Sequence, residues 1–168
     1  MPAMTRNSAT ILHLLRHADA GDPARWPGPD SERPLSPLGI EQIERLVAHL
    51  VAVGFESDAV LSSPKRRAIE TAGPVAAAFG LEVVVDQRLG GALTLADVDA
   101  ILQGAGDPRS PVLVGHDPDF RDLLTTLVGA IDLSMKKGAL ARIEARRPFE
   151  AGAARLRWLL PPDALRPR

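Results

Sequence analysis

Apolar residues along the chain alternate between two spacings. "TILHLL", Thr10 to Leu15, is a short apolar run with a β-branched start and predicts a buried strand. A loop rich in proline, glycine and aspartate follows, "DAGDPARWPGPDSERP", and then the period changes. Ile43, Leu46, Val47, Leu50 and Val51 recur at helical intervals, behind Ser36 as an N-cap hydroxyl and Pro37 at the first helical position, with Gly54 placed as a C-terminal cap. "DAVLSSP" repeats this grammar: a strand at Ala59 to Leu61, Ser63 as N-cap, and Pro64 opening a helix that Gly80 ends. Pro74 lies inside that helix and predicts a kink or break near Gly73, because proline cannot donate the interior hydrogen bond. "LEVVV" reads as a third strand, and Thr94 with Asp97 forms a capping box for a helix to about Gln103. "SPVLVGHDPDF" is a fourth strand running into a fourth helix, with Asp117 as N-cap and Pro118 as its first residue.

Beyond a loop containing "MKKG" the pattern changes again. "ALARIEA" and "ARLRWLL" alternate apolar and polar positions as half-buried antiparallel strands do. Four strand–helix steps and a closing strand pair predict an α/β fold: a three-layer αβα sandwich on a mostly parallel sheet, with an antiparallel C-terminal strand pair. A length of 168 residues suits one domain, read here as 1–168 with residues 1–9 as a flexible extension and translation starting at Met1 or Met4.

Composition narrows the chemistry by exclusion. With no cysteine, disulfides, thiolate nucleophiles and Cys-ligated zinc are ruled out, and cytoplasm is the simplest compartment. A net charge of -1 gives no reason to expect bulk binding to nucleic acid or to an anionic membrane. The first residues hold no signal-peptide core, and no stretch approaches the ~18 apolar residues of a membrane span. Neither HExxH, nor a P-loop, nor acidic residues at metal-ligand spacing occur, so the reading calls for no metal and no cofactor.

In open α/β sheets, ligands bind beyond the carboxyl ends of the strands. Arg16 and His17 follow the first strand, "SSPKRRAIETA" the second, and Gly115 with His116 the fourth. Parallel strands would bring two histidines and several arginines to one edge, where an anion must neutralise them; guanidinium forks and helix N-termini suit a phosphoryl group. Histidine can attack phosphorus and carry the group as a phosphoramidate, while the arginines and the second histidine stabilise charge on the equatorial oxygens. Taken singly, a strand-end histidine is more often a structural hydrogen-bonder; the conjunction of motifs favours His17 as nucleophile. His13 reads as structural, His49 as a partly exposed packing residue, and Trp26 as a lid over the core. Arg66 can pair with Glu70 four residues on, for about 0.2–0.5 kcal/mol, which leaves Arg67 for the site. Lys136 and Lys137 read as a solvated turn, with contact to substrate as the alternative.

These segments resemble those of the histidine phosphatase superfamily, the phosphoglycerate mutase-like fold. "LLRHADA" resembles its R-H-G signature, with Ala18 where glycine is usual; "SSPKRRAIETA" resembles S-S-P-x-x-R-A-x-x-T-A, and "VGHDP" resembles G-H-x-P. Within the superfamily the likeness is to SixA-type phosphohistidine phosphatases, through the D-A after R-H, "RPLSPLG" and "WLLPPDAL". The resemblance implies that His17 is phosphorylated, that Arg16, Arg67 and His116 complete the phosphate pocket, and that Arg33 is a further phosphate-binding candidate. The superfamily commonly uses an acidic residue to protonate an alcohol leaving group; after the third strand this chain offers Gln87 and Arg88 instead. Asp19 and Asp117 lie near motifs and are the remaining candidates for an acid.

A missing acid favours a leaving group that needs none. The expectation is a metal-independent phosphatase acting through phospho-His17 on phosphohistidine in a partner protein, the chain itself being a monomer or weak dimer. The alternatives are the same chemistry on small phosphomonoesters or phosphoserine/threonine proteins, and a non-catalytic phosphate-binding module.

Overall fold

All the expected strands and helices form, in the expected order: β1 Thr10–Arg16, α1 Pro37–Ala52, β2 Ala59–Ser62, α2 Arg66–Ala78, β3 Val83–Val85, α3 Leu95–Gly104, β4 Pro111–Gly115, α4 Asp119–Val128, β5 Leu140–Ala145 and β6 Arg155–Leu160. The computed structural model describes residues 9–167, so nearly all of the extension expected over 1–9 lies outside the described residues. The sheet order is β3-β2-β4-β1-β5-β6. The first four in that order are parallel, β5 runs antiparallel to β1, and β6 antiparallel to β5. Among the described residues no helix is long and apolar enough to cross a membrane.

The period-two alternation of β1 sorts its side chains between two cores. Leu12 and Leu14 pack with Val98, Ile101, Phe120 and Leu124 beneath α3 and α4. Leu15 packs on the other face with Ile43, Leu46, Leu50, Ala72 and Val75 of α1 and α2. His13 shares that second face: its ring lies 4.7 Å from Phe55, Nδ1 bonds the Pro111 carbonyl at 3.1 Å, and it is fully buried as a structural residue. Val51 falls outside the buried stripe of α1 and is exposed, because eight residues from Ile43 it lies about 80° round the helix.

Three element boundaries differ from those predicted. α2 begins at Arg66, two residues late, because the Ser63 hydroxyl accepts the Lys65 N–H at 3.2 Å in a turn ahead of the helix while bonding a side chain across the sheet edge. It then runs unbroken through Pro74; buried Thr71, Ala72, Val75 and Ala76 hold it where one interior bond is forgone. α4 begins at Asp119 rather than Pro118, since Asp117 directs its carboxylate to Arg16 instead of capping the helix. Strand β3 is shorter than "LEVVV", because the Leu81 N–H closes the end of α2 on the Ala76 carbonyl at 2.9 Å. Trp26 joins neither core: its indole N–H donates to Pro29 at 2.9 Å, which folds the ring onto its own loop rather than over the core.

Candidate active site

Strand register brings the motifs together. Arg16 pairs with Gly115 and Ser62 with Val114, so β1, β2 and β4 end at one level. The ladder continues past them: His17 N–H donates to the Gly115 carbonyl at 2.9 Å and Ser63 N–H to that of Val114 at 3.0 Å. His17 and His116 consequently face each other with ring centroids 5.1 Å apart, and Arg67 comes from the first turn of α2.

His17 is 5 % exposed, and its Nδ1 lies 2.7 Å from the Ala18 carbonyl oxygen. A carbonyl only accepts, so Nδ1 carries the proton and Nε2 the lone pair. Nε2 makes no hydrogen bond among the described residues. Burial, reinforced by the charges of Arg67, Arg16 and Lys137, lowers the His17 pKa to about 4, with the Ala18 carbonyl opposing. The ring is therefore neutral at physiological pH, with its Nε2 lone pair available. His116 is lowered to about 3 by burial, then by His17, Lys65 and Arg67. Its Nε2 meets the Ser63 hydroxyl at 2.7 Å. When that hydroxyl donates, the imidazole proton sits on Nδ1.

The cations are tightly held. Arg16 donates to the Met135 carbonyl at 2.6 Å and pairs with Asp117 at 3.2 Å. Arg67 donates to the carbonyl of Asp30 at 2.8 Å and to its carboxylate at 3.0 Å. Three nitrogens of this group, Arg16 Nε, Arg67 Nε and His116 Nδ1, are buried without a protein partner. Unpaired buried donors cost free energy, and three of them on residues that neighbour His17 suit an oxyanion with three oxygens.

The other candidates fall into place around this centre. Arg33 is 7 % exposed and binds the Ala20 and Gly21 carbonyls at 2.8 and 3.3 Å and the Asp30 carboxylate at 3.1 Å, which fixes the loop over Arg67. The Asp19 carboxylate accepts from the Ser36 hydroxyl at 2.6 Å, from Gly21 N–H at 3.1 Å and from Lys137 at 3.4 Å. Burial raises its pKa, but these donors together outweigh it and hold the group below its ordinary range. Asp117 is the reverse case: burial raises it, against the opposing charge of Arg16. Lys137 lies beside the site rather than in a free turn, because Gly138 N–H bonds the carbonyls of Arg16 and His17 and draws the turn inward. Lys136 is exposed as expected and pairs with Asp163. Arg66 pairs with Glu70 at 2.7 Å, also as expected, and Glu70 accepts the Leu35 N–H, joining α2 to the loop.

Asp30 and Ser63 are the site residues that the motifs did not single out for these contacts. The one available signal was the spacing of Asp30 and Arg33, three residues apart in "DSERP". Gly39 has a role in the backbone: a Cβ there would stand 2.0 Å from the Asp19 carbonyl oxygen. That carbonyl accepts the Ser36 N–H at 2.9 Å and cannot move freely. Gly39→Ala is therefore expected to cost about 1–3 kcal/mol, as overpacking does, and to lower activity; a thermal melt with kinetics checks both.

This fold and site define a phosphoryl-handling α/β protein built around a histidine pair. A family model, the histidine phosphatase superfamily (branch 1), matches residues 12–91, and the chain belongs to that superfamily. It is 30 % identical over 164 residues to an uncharacterised protein of Picosynechococcus sp., covering 89 % of this chain and 99 % of that one. It is also 32 % identical to the 8-oxo-(d)GTP phosphatase of Mycolicibacterium smegmatis over 111 residues, which are 64 % of this chain and 34 % of that longer protein. Among solved structures, the protein histidine phosphatase SixA, complexed with tungstate, superposes with a TM-score of 0.78 at 26 % identity, covering 94 % of this chain and all of the other. The coarse activity is that of a phosphatase.

Proposed function

We propose that this chain is a phosphohistidine phosphatase that removes the phosphoryl group from a histidine of a partner protein, with His17 as nucleophile. The observation that carries the reading is the state of His17: neutral, its Nδ1–H fixed on the Ala18 carbonyl and its Nε2 free, in a pocket where Asp19 is held as an acceptor. Arg16, Arg67 and His116 would grip the three phosphoryl oxygens, and the likeness to SixA bound to a tetrahedral oxyanion supports that assignment. Arg33 acts through the loop it fixes.

The proton balance favours phosphohistidine. A substrate ring that enters protonated on its non-phosphorylated nitrogen leaves as neutral imidazole: the His17 Nε2–P bond forms, the substrate N–P bond breaks, and its electron pair returns to the ring. One imidazole replaces another, so no acid has to deliver a proton. Phospho-His17 keeps its Nδ1–H on Ala18, which stabilises the charge. Water then attacks phosphorus, the second N–P bond breaks, and the water proton leaves with phosphate or solvent. An alkoxide leaving group would instead gain roughly 10²–10⁴-fold from a positioned acid. A cytoplasmic location accompanies this reading and rests on the absence of cysteine.

Asp117 favours a second reading, the same chemistry on a small phosphomonoester, because burial raises this carboxyl toward holding a proton. A substrate panel with EDTA present separates the two. Catalytic efficiency on a phosphohistidine protein is expected to exceed that on phosphomonoesters by at least tenfold. The opposite order, together with loss of phosphoester activity in Asp117→Asn, overturns the first reading.

A further inference from the structure

Asp30 is the carboxylate that stands directly on the catalytic guanidinium. It meets Arg67 at 3.0 Å and Arg33 at 3.1 Å. The Arg67 side chain is 6 % exposed whereas that of Asp30 is 54 % exposed, so the carboxylate lies on the solvent side of the pocket. His17 is buried like Arg67, at 5 % exposure. Phosphoryl transfer runs in line, nucleophile and leaving atom on opposite faces of phosphorus. With His17 buried, a leaving group carried by a partner protein departs toward solvent, the side on which the Asp30 carboxylate is exposed. His116 already lies within the electrostatic reach of this carboxylate.

We propose that Asp30 is a specificity-determining residue, whose carboxylate accepts the N–H of a departing imidazole and repels leaving groups that develop negative charge. The inference rests on the phosphohistidine reading above. Each carboxylate oxygen has a lone-pair direction beyond the one that an arginine occupies. During the transfer the proton stays on the non-phosphorylated ring nitrogen, hydrogen-bonded to Asp30, while the electron pair of the breaking N–P bond returns to the other nitrogen. A phenolate or alkoxide, which develops negative charge in the same place, meets the carboxylate unfavourably.

Asp30 stays ionised in this setting: burial raises its pKa, but Arg33 and Arg67 outweigh that and hold it below the ordinary range. Nor is the carboxylate alone in fixing the loop. Arg67 also binds the Asp30 backbone carbonyl, and Arg33 binds the carbonyls of Ala20 and Gly21. Both contacts survive in Asp30→Asn, so this variant is expected to fold.

The test compares the full-length chain with Asp30→Asn on two probes, a phosphohistidine peptide and p-nitrophenyl phosphate. Loss of one charge-assisted hydrogen bond is expected to lower kcat on the peptide about tenfold. Removing the negative charge that faces a developing phenolate is expected to raise kcat for the nitrophenyl ester by about threefold. The ratio of efficiencies then shifts by more than tenfold. Parallel loss on both probes, or an unchanged ratio, overturns the proposal and reduces Asp30 to a positioning residue for Arg67. No turnover of the peptide by the unaltered chain overturns the phosphohistidine reading itself, a result distinct from either of those.

Discussion

His17→Ala is expected to abolish turnover, lowering kcat on the order of 10⁴–10⁶-fold, because the proposed covalent intermediate loses the imidazole on which it forms. The fold is expected to survive. The imidazole is a buried group among Arg16, Arg67 and Lys137, and its own hydrogen bond reaches only the neighbouring Ala18 carbonyl. Melting temperature and catalysis therefore separate in this variant, the first moving little and the second disappearing. Arg67→Ala would be a poorer probe, since it also releases Asp30 and the loop that Arg33 anchors. Trapping without acid sharpens the test. The unaltered chain is expected to carry an acid-labile phosphoryl group during turnover, and His17→Ala none. Residual activity within tenfold of the original would remove His17 from the mechanism.

What the sequence made legible was the placement of groups at strand ends, because strand order and parallel register follow from short local patterns. Arg16, His17, Arg67 and His116 each sit at an element boundary or next to one, and small errors in those boundaries left their meeting intact. Helix α2 shows the limit. Ser63 followed by Pro64 is a good helix start locally, yet the hydroxyl has a tertiary partner, His116, 53 positions away. The helix starts later as a result. Asp117 misleads for the same reason, its apparent capping role yielding to Arg16 across the sheet. Asp30 was illegible as a site residue because its position depends on how a loop without periodicity folds back over Arg67. The turn at Lys137 likewise depends on Gly138 meeting the end of β1. Local pattern carries element identity; side-chain pairing across 30 to 120 residues of chain does not register in it.

Acid is expected to destabilise this fold well above the range in which carboxylates titrate. The pKa values of His13, His17 and His116 are lowered from 6.5 to about 4, about 4 and about 3, in each case first by burial. The unfolded chain takes up three protons near pH 6.5 that the folded chain refuses until pH 4 or below. Between those limits the unfolded state binds more protons, so stability is full above pH 6.5 and falls as pH drops. Each group contributes up to about 1.4 kcal/mol per pH unit. Three together approach roughly 4 kcal/mol per unit, against a total of about 5–15 kcal/mol for an ordinary domain. Asp19 and Asp30, held below their usual range, lose their contribution only beneath this window, as pH falls through their folded values. Asp117 and Asp119, raised by burial, offset a little of the loss at its acid end. Guanidinium midpoints at pH 7.5, 6.5, 5.5 and 4.5 are therefore expected to drop steeply across the last two intervals. His13→Leu, which removes a buried ring from the core and touches nothing in the site, is expected to flatten that slope by about a third. Inorganic phosphate is expected to protect increasingly as pH falls, since an anion favours the charged forms of His17 and His116. A midpoint that stays level from pH 7.5 to 5 would mean that these rings take protons while folded, and that His17 does not rest as the neutral nucleophile.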